Sequence, residues 1–485
     1  MNVNPITRLD YPDLDVIRVE DTYYMVSTTM HFMPGCEILQ SFDLVHWEHV
    51  TYVYETLDHT DAQQLKSGQN IYGQGMWAAS LRYHEGRFCI CFVANDTRKT
   101  YLYTSEKIDG PWKKQLIEGF YHDGSLLFDE DGRNYIVYGN DEIWITELNE
   151  DLTAPKKDGL HRLLVSDHKN PELGYEGSHI QKINGYYYIF LIHSLRDRWM
   201  RTEACFYSDS LEGEFTGGDV LCDDRGYCGQ GVAQGGIVDT PDGKWYAMLF
   251  QDSGAVGRIP ILLPVTWKDH FPFFGQNGHV PEEIEVHSTR PGYIYQPLVG
   301  SDDFCNGLLP RWQFNHDPDP QYYHLDALQG TYTITTREVC TELTQAVNTL
   351  TQRMSYPSCA AEVTVDASAL KEGDVAGLCA LQSCYAAVGI TKHHGKYEVL
   401  MLDKKEDGIL DMTEGTVVES HQMDFRLEAD FCNMKDEARC YYRVNKGDWL
   451  PIGTVHKLYF KLDHFTGCRF GLFCYAAEET GGSAC

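Results

Sequence analysis

One phrase recurs five times in roughly the first 250 residues, and it sets what the chain can fold into. A short apolar run leads into a polar turn, usually with Gly, Asp or Glu, and a β-branched or aromatic run follows. Residues 121–139 are the clearest copy: Tyr-His-Asp-Gly-Ser-Leu-Leu-Phe-Asp-Glu-Asp-Gly-Arg-Asn-Tyr-Ile-Val-Tyr-Gly. This is the pattern of an antiparallel hairpin. The other copies open at Asp13, Trp77, Glu176 and Gln234. Several are followed by a third strand, such as Thr100–Thr104, and a closing phrase such as "SEKIDGPWKK". A spacing of about 45–65 residues is that of a four-stranded propeller blade, which cannot bury its faces without neighbours. Five such blades account for residues 5–295.

Near Arg290-Pro291-Gly292 the repeat stops. Beyond it come short alternating runs, Tyr332–Thr335, Ala361–Val365 and Leu458–Leu462, separated by turn residues. That is the pattern of a β-sandwich. The prediction is an all-β chain: a five-bladed β-propeller over residues 1–296, then a β-sandwich over 297–485. A length of 485 residues fits two domains. Sustained helical periodicity is nearly absent.

Composition excludes several partners. With 71 acidic against 40 basic residues the formal charge is −31, which repels nucleic acid and anionic membranes. No apolar run approaches the length that spans a bilayer. The sixteen cysteines include no C-x-x-C pair that would suggest zinc. The opening Met-Asn-Val-Asn-Pro-Ile-Thr-Arg lacks the charged-then-apolar pattern of a signal peptide, so a cytoplasmic protein with reduced thiols is expected. A homo-oligomer is left open.

The chemistry is expected at the strand entries. Inner strands of a propeller converge on one axis, so Asp13, Trp77, Asp123, Glu176 and Gln234 are predicted to share a cavity. Acids before Gly are ordinary turn residues. Three of them at one place in a repeated unit call for another explanation, because grouped buried carboxylates cost several kcal/mol unless compensated. Neighbouring carboxyls also drive their pKa values apart, leaving one ionised and one protonated. An acid and a base facing each other across a pocket is the equipment for glycoside hydrolysis.

The phrases "YPDLDVIRVEDTYYMV", "MWAASLRYHEGRFCI", "HDGSLLFDEDGRNYIVYG", "YEGSHIQKINGYYYIF" and "GRIPILLPVTWKD" closely resemble glycoside hydrolase family 43. Later phrases, "DDFCNGLLPRWQFNHDPDP" and "GDVAGLCALQ", resemble the concanavalin A-like sandwich of its β-xylosidase-type members. The resemblance implies an inverting enzyme with Asp13 as general base and Glu176 as general acid. Asp123 would be the third carboxylate, orienting the acid and raising its pKa. It also implies a base–acid separation of about 6.5–9.5 Å, which leaves room for the attacking water. Trp77 matches the family's sugar-lining tryptophan, with Ala79 in place of a proline. Arg258 matches an arginine near the family's catalytic acids, where it would pair with Glu176 or a sugar hydroxyl, a surface ion pair being the alternative. Met30 stands where β-xylosidases often carry an aromatic subsite residue. Gln234 replaces a histidine that often lies near the axis beside calcium or water, so no metal and no cofactor is expected.

The expected activity is exo-acting release of terminal β-D-xylosyl or α-L-arabinofuranosyl units from short xylan- or arabinoxylan-derived oligosaccharides. An arabinan-degrading enzyme on the same scaffold, and a non-catalytic carbohydrate-binding propeller, are the alternatives.

Overall fold

The second strand of each repeat shows why these hairpins form a ring. Arg87–Ala94 and Tyr186–Ser194 are buried along almost their whole length. Both faces of such a strand pack on other sheets, so it reads as a continuous apolar run rather than an alternating one. In the computed structural model, which describes residues 2–413 and 415–485, five four-stranded antiparallel meanders follow one another. Their inner strands are Asp15–Val19, Met76–His84, Ser125–Phe128, Glu176–Ile183 and Val232–Asp239. No α-helix occurs among the described residues, and no helix is long and apolar enough to cross a membrane.

Closure is made at the amino-terminal end. Asn2–Val3 pairs with Glu283–Ile284. The Asn4 side chain donates to the Leu262 carbonyl (2.7 Å) and accepts from the Leu262 N–H (3.0 Å), fastening the first residues to blade five. The middle of the ring is filled by a polar cluster. Asp15 accepts from the Leu81 N–H (2.8 Å) and Arg82 (2.6 Å) and meets His179 Nδ1 at 3.1 Å. Arg82 reaches on to the Ser125 hydroxyl (2.7 Å), so four blades are tied together. Burial opposes ionisation of Asp15, but the Arg82 cation and His179 outweigh it and bring its pKa to about 2.

The sandwich alternates where the propeller does not. Along Gln422–Asp430, residues Met423, Phe425, Leu427 and Ala429 are buried and their neighbours are not. This strand and its neighbours form a four-stranded sheet facing a nine-stranded one. Two of the predicted runs, Thr331–Thr335 and Ser358–Asp366, are strands. The third is not: Leu450–Lys457 ends before it, and Leu458–Leu462 opens a loop. Phe465 N–H bonds back to the Lys461 carbonyl (2.8 Å) and Tyr459 N–H to the Gln382 side chain (3.3 Å), which takes this segment out of the ladder.

The two domains share a sheet. Phe32–Met33 of blade one pairs with Gln313–Asn315, the first strand of the sandwich. Beside it, Arg353 forms a buried ion pair with Glu37 (2.7 Å). Buried Asp10 accepts from the Arg258 N–H (2.7 Å) with one oxygen and from the Gly467 N–H (2.8 Å) with the other. The chain between Ile284 and Gln313 is strapped along blade one, where Gln296 N–H bonds to Glu48 (2.9 Å).

Candidate active site

Backbone register decides which side chains reach the hub. In three blades a bulge interrupts the inner strand's pairing, and the same relation recurs just ahead of the inner strand in blades one and three. Glu176 pairs with Ile192 and His179 with Phe190, leaving Gly177 and Ser178 opposite a single residue. Trp77–Ala78 and Gln234–Gly235 are bulged in the same way. In blade one Thr28 N–H bonds to the Pro12 carbonyl and Asp15 pairs with Val26, so Asp13 and Leu14 form the bulge. In blade three Gly139 N–H bonds to the His122 carbonyl and Ser125 pairs with Val137, which puts Asp123 at the same place. Asp13, Trp77, Asp123, Gly177 and Gln234 are therefore equivalent. Asp13, Asp123, Gly177 and Gln234 all have positive φ, between 48° and 67°. Glu176 sits one residue earlier than the sequence pattern suggested, at the position His122 holds in blade three. A bulge re-aims the side chains beside it, and both Glu176 and Asp123 reach the same imidazole.

Two environments result. Asp13 is nearly buried, and Arg258 Nη1 donates to its Oδ1 (2.7 Å) while the Thr28 hydroxyl donates to Oδ2 (2.7 Å). Arg258 thus pairs with Asp13 and not with Glu176, because it enters from blade five directly beside the Asp10–Tyr11 backbone. Its guanidinium lies over the Phe465 ring at 4.5 Å. Phe465 also contacts Trp77, with ring centroids 5.6 Å apart. The sandwich therefore supplies one wall of the site.

On the other side, the Glu176 side chain is 22% exposed and accepts a hydrogen bond from Asn140 (2.6 Å). Asp123 is buried and accepts from the Gly177 N–H (3.0 Å), which fixes the peptide following Glu176. His122 Nε2 lies 3.7 Å from Asp123 and 3.8 Å from Glu176. Burial raises the Asp123 carboxyl to about 6, helped by Glu176 and Asp13 and opposed by His122. Asp123 and then Glu176 hold the His122 imidazole charged up to about pH 9, against its desolvation.

Trp77 is half-buried between His122 (5.7 Å) and Phe465, and its Nε1–H has no partner although it is buried. An unpaired donor beside grouped carboxylates suits a sugar hydroxyl. Two predicted lining residues stand differently. Met30 is fully buried and exchanges both backbone hydrogen bonds with Met76, so it offers a sugar no surface. Gln234 is buried against Gly177, and its N–H donates to the equally buried Glu203 (2.7 Å). His122, Asn140, Thr28 and Phe465 were not anticipated. Only His122 carried a signal, being the neighbour of Asp123.

His122, Asp123 and Glu176 place three donor atoms within 4.8 Å of one another, the one such group among the described residues. A cation bound there would compete with the proton on His122, because an imidazole ligates a metal only in its neutral form. A hollow of about 530 Å³ lies on the sandwich beside Phe304, Trp312 and Arg426 and includes none of the hub acids.

The family model for glycosyl hydrolases family 43 matches residues 3–272, and that for the β-xylosidase C-terminal concanavalin A-like domain matches 301–485. A β-xylosidase of Formosa agariphila is 26% identical across 99% of this chain and 88% of its own. A non-reducing end α-L-arabinofuranosidase of Bacteroides ovatus is 23% identical across 84% of this chain and 79% of its own. Among solved structures, a bifunctional GH43-CE protein of Bacteroides eggerthii superposes with a TM-score of 0.93 at 42% identity. That match covers the whole of this chain, which spans 62% of the other protein's length. With its grouped hub acids and these two family models matched in succession, the chain belongs to glycosyl hydrolase family 43 and is a glycoside hydrolase.

Proposed function

We propose that the protein is an inverting exo-glycosidase that removes terminal β-D-xylosyl or α-L-arabinofuranosyl units from short xylan- or arabinoxylan-derived oligosaccharides. The observation that carries this reading is the unequal pair of environments at the hub. Asp13 has a buried cation and a hydroxyl donor, while Glu176 lies beside a raised carboxyl. In the proposed step Asp13 takes a proton from water as the water oxygen bonds to the anomeric carbon. The glycosidic bond breaks on the opposite face, and Glu176 gives its proton to the leaving oxygen. Asp123 accepts from the Gly177 N–H and so holds the peptide that carries Glu176 in place. Bond making and breaking in one displacement inverts the anomeric centre.

Phe465 of the sandwich beside Trp77 and Arg258 supports a pocket closed on one side, which favours action at chain ends. The names carried by the relatives support xylosyl and arabinofuranosyl units, and an arabinan-degrading role is not favoured. All sixteen cysteines are free thiols, which supports work in a reducing compartment such as the cytoplasm. The test is hydrolysis of an aryl β-xyloside and an aryl α-L-arabinofuranoside side by side, with the first-formed anomer followed by NMR. A first product of unchanged configuration overturns the mechanism. Inertness toward both glycosides overturns the substrate assignment.

A further inference from the structure

His122 is the counterpart, one blade earlier, of Glu176. Each is the last paired residue before its bulge, His122 through the Gly139 N–H (3.0 Å) and Glu176 through its pairing with Ile192. The two side chains enter the hub from adjacent blades, and the imidazole stops 3.8 Å from Glu176 Oε2 and 3.7 Å from Asp123 Oδ2. Among the described residues, no other cationic side chain lies within 4 Å of either carboxylate. The nearby hub cation, Arg258, is already paired with Asp13 (2.7 Å).

We propose that His122 is a positioning residue for the acid half of the reaction: as imidazolium it offsets the charge Glu176 acquires on giving up its proton, while keeping Asp123 ionised. This rests on Glu176 being the general acid. The charged groups facing the ring are Asp123 from its own segment, Glu176 from blade four and Asp13 from blade one, all of them acids. They favour the imidazolium, and Trp77 packs against the ring and limits its movement. Asn140 gives Glu176 one neutral donor; His122 adds a full charge. A charge of opposite sign within about 4–6 Å favours a carboxylate by roughly 1–3 pKa units. The benefit grows as the proton leaves Glu176, so it matters most where the leaving oxygen most needs protonation.

The test uses His122→Phe and His122→Asn, the second guarding against a packing defect in the first. Each is assayed across pH on two substrates with the same terminal sugar. One is an oligosaccharide, and the other is a dinitrophenyl glycoside whose leaving group departs without a proton. The oligosaccharide should lose about 10–100-fold in kcat/KM and the activated glycoside less than about threefold. The basic limb should move up by about one pH unit or more, because without the cation the Asp123–Glu176 pair holds its last proton longer. Equal losses on both substrates with an unmoved limb overturn the proposal. Glu176→Gln, run alongside, separates the premises. If it does not distinguish the leaving groups, the general-acid assignment fails. If it does and the His122 variants do not, only the role of His122 falls.

Discussion

The two halves of the hub put the same chemical group to work in opposite surroundings. On the Asp13 side the carboxylate is buried, paired with Arg258, and walled by Phe465 from the other domain. On the Glu176 side the carboxyl is partly exposed, and its neighbours are an amide, a second acid and an imidazole from the same ring. Under the proposed roles, the difference teaches that proton acceptance and donation can be divided by what surrounds an acid rather than by acid type. One half is fixed by a domain interface and the other by adjacent blades.

The largest expected effect breaks both halves at once but not alike. Asp13→Asn and Glu176→Gln should each lower the rate on oligosaccharides by about 10²–10⁴-fold. Asp13→Asn leaves the Arg258 charge buried without a counter-ion and should destabilise by about 3–5 kcal/mol. Glu176→Gln, at a partly exposed position, should stay within about 0.5 kcal/mol. Melting curves of the two variants check this, and equal melting would refute the contrast. Next in size, Phe465→Ala should reduce kcat/KM by roughly tenfold, mostly through KM, since about 1–1.5 kcal/mol accompanies loss of such an aromatic contact. A variant with unchanged KM would show that the sandwich merely shelters the propeller.

The smaller effects concern pH and run in opposite directions. Burial raises Asp123 to about 6 from 3.8, so its protonated form favours the folded state. That contribution is present below about pH 4 and is lost as pH rises through 6. Asp123→Asn should therefore lose the decline in stability that accompanies ionisation of Asp123 between about pH 4 and 6, read as a flatter profile of melting temperature against pH over that window. On the Asp13 side the domain seam buries His31, His316 and His464 around Tyr72. Burial lowers all three, His464 to about 3 from 6.5. Their contribution is present above about pH 6.5 and is lost as pH falls toward 3. His464→Phe should flatten the decline of melting temperature below pH 6.5, the smallest effect of the set. An unchanged slope would remove the histidines from the account.

The ring, its five units and the hub acids were legible because blade strands packed on both faces leave a continuous apolar run that repeats. What was not legible turned on single residues. A bulge shifts register by one, so Glu176 and Gly177 cannot be told apart as the residue that turns inward without knowing what pairs with Ile192. Met30 stands in the sequence where a lining residue is expected, but its backbone pairing with Met76 turns it into the core. Leu458–Leu462 alternates like a strand, yet it opens the loop that carries Phe465 to an arginine about 200 residues earlier in the chain. Nothing local in the sequence announces such a meeting.

The pairing of Phe32–Met33 with Gln313–Asn315 has a consequence for how such proteins diversify. A ladder that crosses from one unit to the next makes the two a matched set, because an exchanged carboxy-terminal module must arrive with a compatible edge. Recombination within the lineage should therefore keep both pieces together, and novelty should enter through the rims.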